Sequence, residues 1–440
     1  MLLAVLLQAC AVQQRQVNSL AERLELSTPE ATLLSLQSIR PPERDRAQYL
    51  LNTGLLKSIT GDFEGANRDL QSAKKILNAL QAVSVSENLG AAMVNETLRS
   101  YDGSASERVL LHELLSINYL MLSNLDAARV EVLQADVVMK ELAREDKPIG
   151  QLASAHYIAG LVYELGGEID DAMISYRKAA NIMALRNMPP PPALQSSLLS
   201  LSQRLGLDEE YEKYREQFAF VVKPHAPDAA EIIVIYWDGV VTSKRGNSLS
   251  VWVPSLDQAV SLALPYYPPS NYVQNPFNLH MAGQDHRTET IEDIEALQRE
   301  DLDDESAVIY AMTLVRMVGK YELVKSAGNQ NGGLGLFMNI ITMLSESADT
   351  RSWSMLPSSI QFARFWLPAD EYSLPFPLYT GLQQAGLAET KLVVSAGEKI
   401  VLFVSGVSQK IFTYTLASRL KPKRKEIEAV KPMAHEDEEQ

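Results

Sequence analysis

The stretch His156 to Ala180, HYIAGLVYELGGEIDDAMISYRKAA, decides the reading of the first half of the chain. An α-helix turns once in about 3.6 residues, so Gly160 and Tyr163 share one face. Gly167 interrupts the pattern, and Ala172, Tyr176 and Ala179 resume it on a second helix. Small residues at Gly160 and Ala172 let two helix backbones approach, and the tyrosines fill the space left between them. The stretch therefore predicts two antiparallel helices joined at Gly167.

The same seven offsets recur twice upstream. Gly54, Lys57, Gly61, Phe63, Ala66, Leu70 and Ala73 form one set, and Ser116, Tyr119, Ser123, Leu125, Ala128, Val132 and Ala135 form another. Any amphipathic helix pair repeats apolar residues; small, aromatic, turn and small residues at fixed offsets are more specific. The template resembles the tetratricopeptide repeat (TPR), with Gly54, Gly61, Ala66, Tyr119, Ala128, Gly160, Tyr163, Gly167, Ala172, Tyr176 and Ala179 as packing positions. The spacing is irregular: Gly54 to Ser116 is 62 residues and Ser116 to Gly160 is 44, against about 34 for the standard unit. Extra material, an additional helix or a long loop, is expected from Leu77 to Ser106. The proline run Pro189 to Pro192 ends the third pair. A last pair, Ala193 to Leu205 and Glu209 to Phe218, reads as the cap, with Tyr211, Tyr214 and Phe218 covering the end of the stack.

Beyond the linker the pattern changes from helical period to short β-branched runs. Glu231 to Tyr236, Leu249 to Val253 and Ala259 to Leu264 read as strands. A helix is expected from Thr290 to Leu297, with Asp293 completing a capping box, and others over Ala307 to Val324 and Leu334 to Leu344. Strands return at Gln361 to Trp366, at Lys391 to Ser395 paired with Lys399 to Val404 across Gly397, and at Ile411 to Leu416. The expected fold is α+β and multidomain: a TPR-like α-solenoid, then a mixed, β-rich domain with a helical insertion. The boundaries are 1–10 for a signal segment, 11–222 for the repeats and 223–230 for the linker. The α+β domain covers 231–420, and a disordered charged tail 421–440.

The 440-residue chain carries a formal net charge of -15, which argues against nucleic acid as a partner, since phosphate contacts need clustered Lys and Arg. Its one cysteine, Cys10, ends the apolar opening MLLAVLLQAC. Leu7-Gln8-Ala9-Cys10 resembles a bacterial lipobox, which predicts cleavage before Cys10 and lipidation of its thiol. The expected location is then the periplasmic side of the outer membrane, held by the lipid. Without processing of Cys10 the expectation is a cytoplasmic scaffold. No apolar run approaches the ~20 residues of a transmembrane helix.

Two motifs carry a wider resemblance. Glu107 to His112 (ERVLLH) with Asn118-Tyr119-Leu120 is one; Ala348 to Pro357 (ADTRSWSMLP) with Gln361-Phe362-Ala363-Arg364 is the other. Together with Leu264-Pro265-Tyr266 they are similar to an uncharacterised family of TPR-containing bacterial envelope lipoproteins. The resemblance spans most of residues 45–420. It implies a membrane-anchored periplasmic protein with a repeat domain and a C-terminal mixed domain, and it implies no reaction.

The densest polar-aromatic cluster is Asp349, Thr350, Arg351 and Trp353, with Arg364 downstream. It reads either as a recognition site, Arg351 gripping an anion and Trp353 stacking, or as a network that holds the loop before the Gln361 strand. The structural reading is favoured. His280 and His286 with Asp285 match no zinc spacing, so no metal is expected. His112 and His156 occupy equivalent first-helix positions and are expected to pack. Gly332-Gly333-Leu334-Gly335 lacks the Lys-Ser/Thr of a phosphate loop. No nucleophile elbow occurs, so neither catalytic residues nor a cofactor are assigned.

The expected function is a non-catalytic scaffold or assembly factor whose concave groove takes protein partners of the bacterial envelope. Asn52, Glu113 and Tyr157 face that groove by helical phase. The alternative is a C-terminal domain that binds or hydrolyses an envelope glycan or other ligand, positioned by the repeats.

Overall fold

The computed structural model describes residues 13–84, 99–144, 147–218, 226–253, 258–328, 348–380, 383–408 and 410–417. Cys10 and the signal segment, residues 85–98 of the 77–106 insertion, the helix expected at 334–344 with its glycine run, and the 421–440 tail lie outside the described residues.

The N-terminal half is an α-solenoid. Helices α1 (13–22) and α2 (Pro29–Gln37) precede four hairpins: α3 (Arg46–Thr60) with α4 (Phe63–Ser84), α5 (Ala105–Met121) with α6 (Leu125–Leu142), α7 (Ala153–Gly166) with α8 (Ile169–Leu185), and α9 (Pro192–Arg204) with α10 (Asp208–Gln217). The shared template explains the first three turns. Gly61, Ser123 and Gly167 all take positive φ, at 94°, 56° and 82°. In each turn the next N–H donates back to a carbonyl five residues earlier: Asp62 to Lys57, Asn124 to Tyr119 and Glu168 to Tyr163, at 2.8–2.9 Å. That closes a helix C-terminus around a left-handed residue, where glycine is the least strained choice.

The small residue that opens the template allows close approach within each hairpin. A Cβ on Gly54 would sit 2.6 Å from Leu70 Cγ, and one on Gly160 would sit 2.6 Å from Tyr176 Cε1. Tyr176 cannot yield: it is fully buried, its hydroxyl donates to Glu164 at 3.0 Å, and Tyr157 packs on its ring. Gly160→Ala should therefore destabilise the protein by about 1–3 kcal/mol through overpacking, although alanine is the better helix former by about 1 kcal/mol. Urea titration reads the sign; a stabilised variant would refute this packing.

The C-terminal half is built on one sheet with order β11-β10-β1-β7-β6. Its strands are β1 (Ala230–Asp238), β6 (Glu289–Asp293), β7 (Ser359–Leu367), β10 (Lys399–Ser405) and β11 (Ile411–Leu416). β1 pairs parallel with β10, and the other neighbours are antiparallel. Every residue of β1 is buried, as its unbroken apolar run requires of a central strand. Side chains alternate between the faces. Ile233, Ile235, Trp237, Phe362, Val401 and Phe403 join the core of the helical array. Ile232, Val234, Phe365, Ile400 and Leu402 build a second core on the other face. The two halves thus share one hydrophobic core, with an interface more extensive than two units joined by a linker would have.

Three two-stranded ribbons leave this sheet: β2 (Arg245–Val253) with β3 (Gln258–Tyr266), β4 (Asn278–Met281) with β5 (Gln284–Arg287), and β8 (Asp370–Thr380) with β9 (Gln383–Val394). Several local expectations are corrected here. Thr290 does not cap a helix: it lies in β6, and helix α11 (Ile294–Gly328) begins after Asp293, whose carboxylate accepts from Ala296 N at 3.0 Å. Over the described residues α11 is one continuous helix where two were expected. The 391–395 run belongs to β9 and pairs with β8, not with β10. Pro375 and Pro377 concealed β8, because proline is tolerated only where a strand edge needs no N–H donor. The first strand begins at Ala230, inside the segment expected to be a linker.

Candidate functional site: the inner face of the helical array

The first helix of each hairpin turns toward the sheet, and its polar residues are spent on this chain's own backbone. Gln48 Nε2 donates to Ser352 O at 2.7 Å, Met355 N donates to Asn52 Oδ1 at 3.2 Å, and Trp353 N donates to Glu107 Oε1 at 2.6 Å. Gln48, Asn52 and Glu107 therefore clamp the main chain of 352–355 as a groove clamps an extended peptide. Trp353 and Leu356 are fully buried and Met355 nearly so.

The expected open groove is thus corrected. Asn52, Glu113 and Tyr157 do face inward, with exposures of 0%, 1% and 0%, but the segment before β7, and β7 itself, fill the space. Tyr157 packs its ring 4.3 Å from that of Phe362. At the first hairpin Phe412 of β11 packs edge-on against Phe63, with ring centroids 4.9 Å apart.

Arg364 of β7 ties the sheet to the third and fourth hairpins. Its guanidinium donates to Glu164 Oε1 at 2.7 Å and Oε2 at 3.0 Å, to Ser197 Oγ at 2.7 Å and to Glu231 Oε1 at 2.5 Å. Lys399 of β10 donates to Glu164 at 2.8 Å and also pairs with Glu231. Burial works against the charge of Glu164, yet Arg364 and Lys399 hold its carboxyl well below the usual range. Two cations and two carboxylates from both halves form a closed, neutral set.

The Asp349–Arg351 cluster is also structural. Arg351 donates to both oxygens of Asp349, to Asp45 Oδ1 at 2.8 Å and to Arg99 O at 2.8 Å. Thr350 O accepts from Gln14 of α1 at 3.4 Å. With Arg351 engaged on all sides and Trp353 buried, neither is presented to an incoming anion or sugar. That removes the residues on which the glycan-site alternative rested.

The repeat positions lie at the helix–helix contacts: Ala66, Ala128, Ala172, Tyr176 and Ala179 are fully buried, Tyr163 is 9% exposed, and Tyr119 is half-buried. His112 Nδ1 is 2.7 Å from Glu131 Oε2 inside the array. Burial lowers His156 to about 4, so it packs as a neutral ring. His280 contacts Asp285 on the exposed ribbon, whereas His286 stacks on Phe365, with centroids 3.8 Å apart, on the opposite face. Among the described residues no group of three His, Cys, Asp or Glu converges as metal ligands would.

Sequence reasoning missed Gln48, Glu107, Glu164, Ser197, Glu231 and Lys399. One signal was available. Glu164 is the only charged residue in ASAHYIAGLVYELG of α7, and Arg364 is the only one in SIQFARFWL of β7. A lone charge in an apolar element requires a buried partner.

No family model matches this chain, and no curated protein matches it. Among solved structures, apo RapI shares 13% identity over 43% of this chain, at a TM-score of 0.33. This chain spans about half, 47%, of RapI. MamA from Desulfovibrio magneticus RS-1 shares 14% identity over 47% of this chain and 91% of its own, at a TM-score of 0.30. BtubC from P. vanneervenii shares 15% identity over 45% of this chain and 75% of its own, at 0.29. Likenesses at this level say nothing of the chemistry of the inner face.

Proposed function

We propose that this chain is a non-catalytic interaction scaffold of the bacterial envelope, anchored in the outer membrane by a lipid on Cys10 and facing the periplasm. Its helical array holds its own C-terminal domain on the inner face and offers its outer face to a protein partner. The observation that carries this reading is the division of labour between the helices. The inner helices α3, α5, α7 and α9 are covered by the chain itself. The outer helix α6 leaves Val130, Leu133 and Val137 exposed at 49%, 41% and 53%. These residues recur at i, i+3 and i+7, which places them on one stripe of α6.

A photo-crosslinking residue in place of Val137 should yield a protein adduct in cells, and the same residue in place of Asn52 should yield none. Adducts from Asn52 alone would show that the inner face opens to partners and would overturn the proposal. The anchor has its own readout: Cys10→Ser should move the protein from the membrane fraction to the soluble fraction, and unchanged fractionation would refute it.

A further inference from the structure

An open cavity of about 910 Å³ lies where the start of α5, the end of α6, α11 and the β1–β2 connection meet. Ligand pockets commonly enclose about 300–1,000 Å³. Its apolar wall is Leu80, Leu142, Ile149, Val308, Ile309 and Met312. Most of the charged groups in the rest of the lining are engaged within the protein. Arg351 holds Asp349, and Glu107 accepts from Trp353 N. Asp301 accepts from Ser104 and Ser106, and Asp304 from Arg144 and Lys147. Arg108 lies 3.9 Å from Glu141, and Arg99 lies 3.9 Å from Asp102.

Two lining groups of opposite sign remain, Lys244 from the β1–β2 connection and Glu305 from α11. Neither side chain makes a hydrogen bond or ion pair with a described residue. The Lys244 ammonium lies 5.7 Å from the centroid of the Tyr267 ring. The ammonium also feels the fields of Tyr267, Asp349 and Glu107, and that of Glu305 more weakly. Burial lifts the Glu305 carboxyl to about 7; Lys244 opposes the rise, and Asp301, Asp102 and Glu107 add to it.

We propose that this cavity binds a zwitterionic amino-acid or short-peptide ligand. Lys244 receives its carboxylate, Glu305 receives its ammonium, and the apolar wall takes its side chains. A ligand bearing both charges completes the two groups that make no hydrogen bond or ion pair with a described residue. An amine or a carboxylate alone engages one of them and forgoes the charge-assisted bonds of the other, so it binds more weakly. The site does not depend on the docking stripe of α6, which lies on the outer surface of the array.

The test is a thermal-shift and calorimetric titration of the full chain with L-leucine, with the free tripeptide Ala-Leu-Ala, and with the same tripeptide acetylated and amidated at its ends. The free tripeptide should stabilise the protein and bind at least tenfold more tightly than the blocked one. Binding of L-leucine alone would narrow the ligand to a free amino acid. Lys244→Met and Glu305→Gln should each weaken binding of the preferred probe at least tenfold. The unliganded melting temperature of Glu305→Gln should stay close to that of the parent, since the exposed Glu305 side chain makes no hydrogen bond or ion pair with a described residue; that of Lys244→Met should fall only by the loss of its contact with the Tyr267 ring. No binding of either free probe, equal binding of free and blocked peptide, or undiminished binding by both variants would overturn the proposal.

Discussion

Arg364→Met is expected to lower the free energy of unfolding by about 3–5 kcal/mol, the usual cost of leaving a buried charge without its partner. The Arg364 side chain is 1% exposed, and its partners Glu164 and Glu231 are 3% and 9% exposed. Methionine fills much of the volume, so lost packing is a minor part of the effect. Two buried carboxylates would then share Lys399 alone, and the hydroxyl of Ser197 would lose its donor. The control is the double variant Arg364→Met with Glu164→Gln, in which Lys399 and Glu231 remain as a neutral pair. It should recover at least half of the loss, because desolvation of the orphaned carboxylate dominates the penalty. Urea unfolding measures both. A single-variant loss below about 1 kcal/mol, or a double variant no better than the single, would show that the network contributes little.

The same network makes a statement about cooperativity. Glu164 and Ser197 come from the array, whereas Glu231, Arg364 and Lys399 come from the sheet. Further contacts tie the halves together, among them the 352–355 clamp, Phe63 on Phe412, and the Asp301 bonds to Ser104 and Ser106. A sheet removed from the array would expose Trp237, Phe362 and Phe403, which are otherwise buried against it. The halves share one core, although the chain reads as two.

That difference marks what the residues disclose and what they leave hidden. The hairpins are legible because Gly61, Ser123 and Gly167 do the same backbone job at the same offset, and local geometry leaves a local signature. The central strand is legible because EIIVIY can be satisfied only between two covered faces. The closing of the groove was hidden for two reasons. The clamp reads main-chain atoms of 352 to 355, which every sequence supplies. It also joins Gln48 to Ser352 across 304 positions, where no periodicity connects the partners. The periodicity divides helix α11 between 290–297 and 307–324; in the fold the helix runs on across that gap, where Asp304 and Glu305 line the cavity. The lone charges of α7 and β7 were the clue to the inner face, since each required a partner that its own element lacked.

Glu113→Gln is expected to stabilise the protein at alkaline pH and to change little at pH 5. Glu113 is 1% exposed on α5 and accepts from Ser154 Oγ at 2.7 Å, while Ser154 N donates to Glu292 Oε2 at 3.1 Å. Two carboxyls therefore converge on one serine at the seam between array and sheet, with Arg186 3.7 Å from Glu292. Burial is the main cause that lifts Glu113 to about 8; the Ser154 bond opposes the rise and Glu292 adds to it. Burial likewise lifts Glu292 to about 7, against Arg186 and the backbone of Ser154 and Ala153. An acid whose folded pKa is raised binds its proton more tightly in the native state. Its contribution to stability is complete below the unfolded value of 4.5 and is lost as pH rises through about 8. Glutamine keeps the acceptor for Ser154 and carries no proton to lose. The variant should therefore gain on the order of 3–5 kcal/mol over the parent at pH 8.5. Its melting temperature should fall less steeply between pH 5 and 8.5, with the residual slope coming chiefly from Glu292. If parent and variant lose stability in parallel across that range, Glu113 is ionised in the native state and the seam holds a charge that its surroundings do not reveal.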